Sequence, residues 1–91
     1  MNFEWDERKA AHNLVKHGVA FTEAATVFYD PLSLTFPDPD HSTNEDRFIT
    51  IGTSDQGRLL IVAHSEQNDT LRIISARPTT ARERKLYESG S

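Results

Sequence analysis

The sequence predicts one α+β domain over residues 1–91, with two N-terminal helices on one face of an antiparallel sheet of four to five strands and a short C-terminal helix. Apolar residues recur at helical spacing in the first third of the chain. Three strand-like runs then follow one another closely, with short polar links between them. A chain of 91 residues has room for one such domain.

The chain begins with a short strand and a helix. The residues "NFEW" (2–5) alternate polar and apolar side chains, as a half-buried strand does. Asp6 stands where a side-chain cap begins a helix, and Gly18 stands where a glycine ends one. We therefore predict a helix over residues 7–17.

A second helix, a strand and a loop are expected next. The stretch "FTEAATVFYDP" (21–31) has a helical pattern, with Thr22 as its cap and Pro31 as its stop. "LSLTF" (32–36) resembles a strand. "PDPDHSTNED" (37–46) is composed of residues that favour turns, so we expect a loop there.

Three further strands are predicted in the second half of the chain. They are "RFITIGT" (47–53), "RLLIVAHS" (58–65) and "TLRIISAR" (70–77). The links "SDQG" (54–57) and "EQND" (66–69) are short enough for hairpin turns. Strands joined by hairpins are antiparallel neighbours, which is why the predicted sheet is antiparallel.

The last element is a short helix over residues 80–89, "TARERKLYES". Thr80 and Glu83 stand at the spacing of a capping box, in which each side chain bonds to a backbone N–H of the other residue. Glu83 therefore has a structural role available to it, independent of any chemistry.

The composition excludes several kinds of protein. The chain contains no cysteine, which excludes disulfides, thiolate metal sites and a cysteine nucleophile. No apolar run reaches the length of a membrane span. The N-terminus "MNFEWDERK" carries acidic residues where a signal peptide would be apolar. We expect a cytoplasmic protein without membrane contacts.

Charge is distributed unevenly along the chain, whose formal net charge is −4. Residues 1–46 hold three Lys and Arg against nine Asp and Glu, whereas residues 47–91 hold seven against five. An acidic total argues against a protein that coats nucleic acid, but it allows a local pocket for phosphate. The acidic half is also suited to a basic partner.

Arginines of the strands are the main candidates for a phosphate site. Arg72 and Arg77 are the first and last residues of the run "RIISAR". The arginine side chain suits bidentate recognition of phosphate. Their odd separation would place them on opposite faces of a flat strand. Arg47, which opens the first of the three later strands, is a third candidate. The structural alternative is solvation at strand ends.

Three other side chains are candidates for proton transfer. His64 ends an apolar run, where a histidine can act as a general acid or base, or be simply an exposed residue at a strand end. Glu83 and Tyr87 lie four residues apart and share a helix face. Glu83 is a candidate base and Tyr87 a candidate acid or phosphate contact, while capping and helix docking are their structural alternatives.

The four histidines show no spacing typical of a metal site, so no metal and no cofactor are expected. His12 and His17 are five residues apart and do not share a helix face. The remaining two are His41 and His64.

Several segments in this order resemble the BrnT family of bacterial toxins. They are "FEWDERKAAHNLVKHGVAFTEAATVFYDP", "EDRFITIG", "RIISAR" and "ERKLY", and the resemblance runs from Phe3 to Tyr87. It implies a fold similar to that of RelE/ParE toxins and the activity of a small, metal-independent ribonuclease of a type II toxin–antitoxin pair, which arrests growth.

The resemblance also implies partners. An RNA substrate is expected, together with a cognate antitoxin that carries a ribbon-helix-helix-like DNA-binding domain and forms a hetero-oligomer with the toxin. Operator DNA would be contacted only through that complex. The residues that match the family pattern are Arg47, Arg72, Arg77, Glu83 and Tyr87.

The hypothesis is therefore an endoribonuclease in which the ribose 2′-OH attacks the neighbouring phosphate. Arg72 and Arg77 would stabilise charge, and Glu83, Tyr87 and His64 are the catalytic candidates for proton transfer. Arg47, Arg82 and Lys85 are the candidates for binding RNA. The rival hypotheses are a non-catalytic protein that binds an antitoxin and regulates its operator, and a metal-dependent nuclease.

Overall fold

A computed structural model describes residues 1–38 and 46–90 of the chain. The loop predicted over residues 37–46 lies largely outside them, as does His41. The elements are β1 (Asn2–Glu4), α1 (Glu7–His17), α2 (Phe21–Thr26), a 3₁₀ turn (Val27–Tyr29), β2 (Leu34–Pro37), β3 (Arg47–Thr53), β4 (Leu59–Gln67), β5 (Thr70–Pro78) and α3 (Ala81–Ser89). The predicted α+β class is confirmed.

The five strands form one sheet in the order β1-β5-β4-β3-β2. Neighbours from β2 to β5 are antiparallel, as the hairpin links predict. However, β1 pairs parallel to β5, with Phe3 beside Leu71, so the prediction of a purely antiparallel sheet is wrong. The chain between β1 and β5 is long enough to return to the same end of the sheet, which a parallel pair requires.

Helix α1 begins and ends where its capping residues predict. The Oδ1 of Asp6 accepts hydrogen bonds from the backbone N–H of Arg8 and Lys9, at 2.8 and 3.2 Å. Gly18 terminates the helix at φ 70°, where a residue with a Cβ would be strained. Both signals are local, and both are confirmed.

Helix α2 differs from its prediction at both ends. Ala20 occupies the cap position without a side-chain hydrogen bond, and Thr22 lies inside the helix, so the predicted cap is wrong. The α-helix ends at Thr26 and tightens into the 3₁₀ turn Val27–Tyr29 before the chain reaches Pro31. Tightening of the last turn is a common way for a helix to end.

Both faces of the sheet are apolar, and helices lie on both. Helices α1 and α2 cover the main core, whereas α3 lies on the opposite face, where Tyr87 packs against a smaller cluster that includes Ile51 and Ile61. The two N-terminal helices therefore share one face, as predicted, and α3 packs on the other. The run Leu59–Val62 is buried throughout, and alternation along the strand sends its side chains to both faces.

Asn13 of α1 closes the edge of β5 beyond the end of β1. Its side-chain amide donates to the backbone oxygens of Val19 and Ala76, at 2.9 and 2.8 Å, and its Oδ1 accepts from the N–H of Ala76 at 3.1 Å. Asn13 is 4 % exposed. One buried side chain thus satisfies backbone groups that a neighbouring strand would otherwise pair.

A buried carboxylate ties α2 to the turn between β3 and β4. The Oε2 of Glu23 accepts from Ser54 Oγ at 2.7 Å and from Arg58 Nε at 3.0 Å. Arg58 also donates to the backbone oxygen of Gly18 at 3.0 Å. Arg58 therefore has a structural role, since its side chain joins the β3–β4 turn to Glu23 and Gly18.

Candidate active site

Two arginines lie close together on the sheet face opposite α1 and α2. The strand registers place Ser65 of β4 beside Arg47 of β3 on one side and beside Arg72 of β5 on the other. An open pocket of about 440 Å³ lies over this row. Its lining comprises Lys9, Asp46, Arg47, Ser65, Glu66, Gln67, Arg72 and Ile74.

A β-bulge brings Arg72 and Arg77 to the same face of the sheet. Ala63 pairs with Ser75 and the next residue of β4, His64, pairs with Ile73, so the register shifts by one residue in β5. An extra residue reverses the alternation of side chains beyond it. The prediction that Arg72 and Arg77 point to opposite faces is therefore wrong.

Arg77 is held by Glu83 of α3. The two side chains form a fork, with Nη1 to Oε1 and Nη2 to Oε2 both at 2.8 Å, and Glu83 also accepts from the N–H of Thr80 at 2.8 Å. The hydrogen bonds from Arg77 are the main reason that the pKa of Glu83 falls to about 2. The capping box predicted for Thr80 and Glu83 is confirmed.

Tyr87 anchors α3 on β3. Its hydroxyl donates to Oδ2 of Asp30 at 2.6 Å and accepts from Oγ1 of Thr53 at 3.3 Å. The hydrogen bond to Asp30 is the main cause that raises the pKa of Tyr87 above its ordinary value. The phenol is thus a neutral donor in this structure, and its proton is directed at Asp30.

The arginine candidates fall into two groups on the open face. Arg77 shares a cross-strand row with Ile61 and Ile51. Ile51 is four residues from Arg47 along β3, and a strand rises about 3.3 Å per residue, so the two rows are about 13 Å apart. The structure brings Arg47 and Arg72 together and places Arg77 in a separate cluster with Glu83 and Tyr87. Arg82 and Lys85 are exposed on α3, outside the pocket.

His64 lies on the other face of the sheet, in contact with the core. Its side chain is fully buried, Nε2 is 2.7 Å from Oγ1 of Thr50, and the ring of Phe28 meets it edge to face at 4.8 Å between centroids. Nδ1 lies 3.5 Å from Oε2 of Glu66. The alternative of an exposed residue at a strand end is therefore wrong, and no contact with a substrate on the open face is available to His64.

The burial of His64 predicts that stability falls at mildly acidic pH. Burial lowers its pKa from 6.5 to about 4, so protons favour the unfolded chain as the pH falls through this window. Between pH 7 and pH 5 we expect a loss of about 2 kcal/mol in the free energy of unfolding from this residue. Urea denaturation at several pH values measures it.

A His64→Gln variant is the control for this pH dependence. It removes the titrating group, so its unfolding free energy is expected to change much less between pH 7 and pH 5 than that of the wild type. Carboxylates with lowered pKa values, such as that of Glu83, stay ionised throughout this range. Equal slopes for the two proteins would contradict the assignment.

Residues 1–38 and 46–90 offer neither a cluster of metal ligands nor a membrane-spanning helix. This part of the chain contains no group of three or more His, Cys, Asp or Glu side chains placed to hold a metal ion. None of its helices has the length and apolar character needed to cross a membrane.

Of the eight residues that line the pocket, only Arg47 and Arg72 were predicted from the sequence, and Lys9 and Ser65 are among the six that were missed. Asn68 and Asp69 form the turn between β4 and β5, with Asn68 at φ 57°. Reading "ND" as a two-residue turn would have paired Ser65 with Arg72 correctly. Lys9 gave no such signal, because it reaches the pocket only through the packing of α1 against the sheet edge.

The fold and the pocket together define a small α+β protein with two arginines around an open pocket on one face of its sheet. A family profile described as "Ribonuclease toxin, BrnT, of type II toxin-antitoxin system" matches residues 5–83. The chain belongs to this family of BrnT ribonuclease toxins, which confirms the resemblance seen in the sequence.

A solved structure supports the same assignment. The crystal structure of the Brucella abortus ribonuclease toxin BrnT superposes with a TM-score of 0.68 at 26 % sequence identity. The alignment covers 88 % of this chain and 97 % of the Brucella protein. Comparison with curated protein sequences gives no match.

Proposed function

We propose that the protein cleaves RNA in the pocket between Arg47 and Arg72. The observation that carries this proposal is the row Arg47–Ser65–Arg72, which sets two guanidinium groups on either side of a hydroxyl in an open pocket. Guanidinium groups bind phosphate through paired, charge-assisted hydrogen bonds. Because the chain belongs to a family of ribonuclease toxins, we propose that the bound phosphate is part of an RNA backbone.

The proposed reaction is an intramolecular transfer of the phosphate. The ribose 2′-oxygen bonds to phosphorus and the bond to the 5′-oxygen breaks, which leaves a 2′,3′-cyclic phosphate and a free 5′-hydroxyl. Arg47 and Arg72 stabilise the extra negative charge of the transition state. The carboxylate of Glu66 lies 3.5 Å from Nδ1 of His64, on the other face of the sheet, so we propose that water in the open pocket accepts the 2′-OH proton and gives a proton to the 5′-oxygen.

The second cluster on this face has a positioning role in the proposal. Glu83 is a weak base because its pKa is about 2, and both of its oxygens accept from Arg77. Tyr87 directs its proton at Asp30. We propose that these side chains hold α3 on the same face of the sheet as the pocket, where Arg82 and Lys85 on its exposed surface would contact more distant parts of the RNA.

We also propose that a cognate protein antitoxin neutralises the activity, since the family belongs to type II toxin–antitoxin systems. The acidic first half of the chain is suited to a partner with a basic surface, as DNA-binding antitoxins have. Such a complex, with operator DNA contacted through the antitoxin, would be a cytoplasmic hetero-oligomer.

Incubation of the purified protein with RNA in the presence of EDTA tests the proposed function. We expect cleavage that is insensitive to EDTA and fragments that end in a 2′,3′-cyclic phosphate. RNA that stays intact would favour a non-catalytic protein that binds an antitoxin. Cleavage that disappears in EDTA would instead indicate a metal-dependent nuclease.

A further inference from the structure

Helix α1 carries a stripe of basic side chains toward the open pocket. Arg8, Lys9 and Lys16 are all of the Lys and Arg residues in positions 1–46, and all three lie on this one helix. His12 and His17 lie on the same helix. The acidic half of the chain thus concentrates its entire basic charge on one element.

A groove of about 280 Å³ runs between this stripe and the bulged segment of β5. No carboxylate lines the groove, and in the parts of the chain that the structure describes no ion pair neutralises the α1 cations. Its lining comprises Arg8, Lys9, His12, Lys16, His17 and the bulge residues Ile74 and Ser75, with the polar side chain of Asn13 at its base.

The groove is continuous with the pocket at Arg47 and Arg72. Lys9 and Ile74 line both of them. Arg8 and Lys16 are eight residues apart, so at 1.5 Å per residue the stripe extends the positive surface by about 12 Å. A polyanion seated on the two arginines therefore meets further cations along α1.

We infer that the α1 groove binds the backbone of single-stranded RNA that continues beyond the cleaved phosphate. The inference rests on the proposed function and adds the path of the substrate to it. Among the residues that the structure describes, the groove is lined by three cations and by no Phe, Tyr or Trp, so we assign its main contacts to phosphates, independent of base sequence.

The double variant Arg8→Gln, Lys16→Gln tests the inference. Binding is measured with 2′-O-methyl RNA, which lacks the nucleophile, in oligonucleotides of about 4 and about 12 nucleotides. We expect the wild type to prefer the longer oligonucleotide and the double variant to lose most of this preference. The salt dependence of its affinity for the longer RNA should become shallower by about 1.4, or 0.7 for each lost contact.

Arg84→Glu is the matched control. Like the double variant, it makes the formal net charge of −4 more negative by two. Arg84 lines neither the pocket nor the groove. We expect it to bind both oligonucleotides as the wild type does. Cleavage of an unmodified RNA of about 4 nucleotides should differ little among the three proteins.

The possible failures are distinguishable. A double variant that keeps the wild-type preference for long RNA would overturn the inference while the proposed function stands. A double variant that binds RNA as the wild type does but binds polyglutamate more weakly would also overturn the inference, because the groove would then bind an acidic protein partner. A wild type that binds neither RNA would overturn the proposed function together with the inference.

Discussion

Replacement of Arg72 by alanine is expected to lower the rate of RNA cleavage about 10²- to 10³-fold, the usual effect of removing one donor that stabilises charge in a transition state. The guanidinium of Arg72 lies in the cross-strand row with Ser65 and Arg47, where the phosphate is proposed to bind. Single-turnover cleavage of a labelled RNA measures the rate of the chemical step.

The fold should survive this change. Arg72 is exposed and forms an ion pair with Glu4, whose carboxylate accepts from Nη1 at 2.8 Å on the protein surface. Exposed ion pairs contribute about 0–1 kcal/mol to stability. Urea denaturation of the variant is therefore expected to resemble that of the wild type.

Three variants separate the role of Arg72 in cleavage from its ion pair and from charge alone. Glu4→Gln breaks the ion pair but keeps the guanidinium, and Arg84→Ala removes an arginine outside the pocket; both should cleave within a few-fold of the wild type. Arg72→Lys keeps the charge but loses the planar fork, so an intermediate rate is expected. Full activity of a folded Arg72→Ala protein would rule out this pocket as the site of cleavage.

The sequence predicted those parts of the fold that depend on neighbouring residues. Asp6 and Gly18 bound α1 as expected, and Thr80 and Glu83 form the expected capping box. Each of these signals acts within one turn of helix, so its physical cause lies in the local sequence. The hairpin partners β3, β4 and β5 were predictable for the same reason, since short links leave few alternatives.

Features that depend on distant contacts were not predictable. The bulge at Ile74 carries no glycine or proline to mark it, yet it decides that Arg72 faces the same side as Arg77. The parallel pairing of β1 with β5 joins segments almost 70 residues apart, and nothing in "NFEW" specifies that partner. The site depends on both features, because β1 sets where α1 begins and therefore where Lys9 lies.

The placement of His64 follows from the same sheet geometry. Side chains alternate along β4, so Ser65 on the open face requires His64 on the face that α1 and α2 cover. An alternating pattern would have shown this, but the run "LLIVA" (59–63) before His64 is apolar at every position and does not reveal which side chains lie on which face. When a strand is buried on both faces, its sequence does not show which of its side chains lie on which face of the sheet.

Asn13→Ala is expected to reduce the free energy of unfolding by about 3 kcal/mol, the largest loss of stability that we predict for a single side chain. The alanine would leave the N–H and oxygen of Ala76 and the oxygen of Val19 without their partner in a buried place. Each buried, unsatisfied polar group costs about 1–3 kcal/mol, and partial access of water limits the sum. In a domain of this size the midpoint of thermal unfolding should fall by about 15 °C.

Two further variants show whether the hydrogen bonds of Asn13 are the cause. Val15→Ala truncates a residue of the same helix that is 89 % exposed, so it should change stability by less than about 0.5 kcal/mol. Asn13→Asp keeps the size and one acceptor but turns a second oxygen toward the backbone oxygens of Val19 and Ala76. It should therefore destabilise at least as much as alanine at neutral pH, and less once the carboxyl is protonated. A stable Asn13→Asp protein at pH 7 would show that the position is held by packing, and that closing the β5 edge requires no amide.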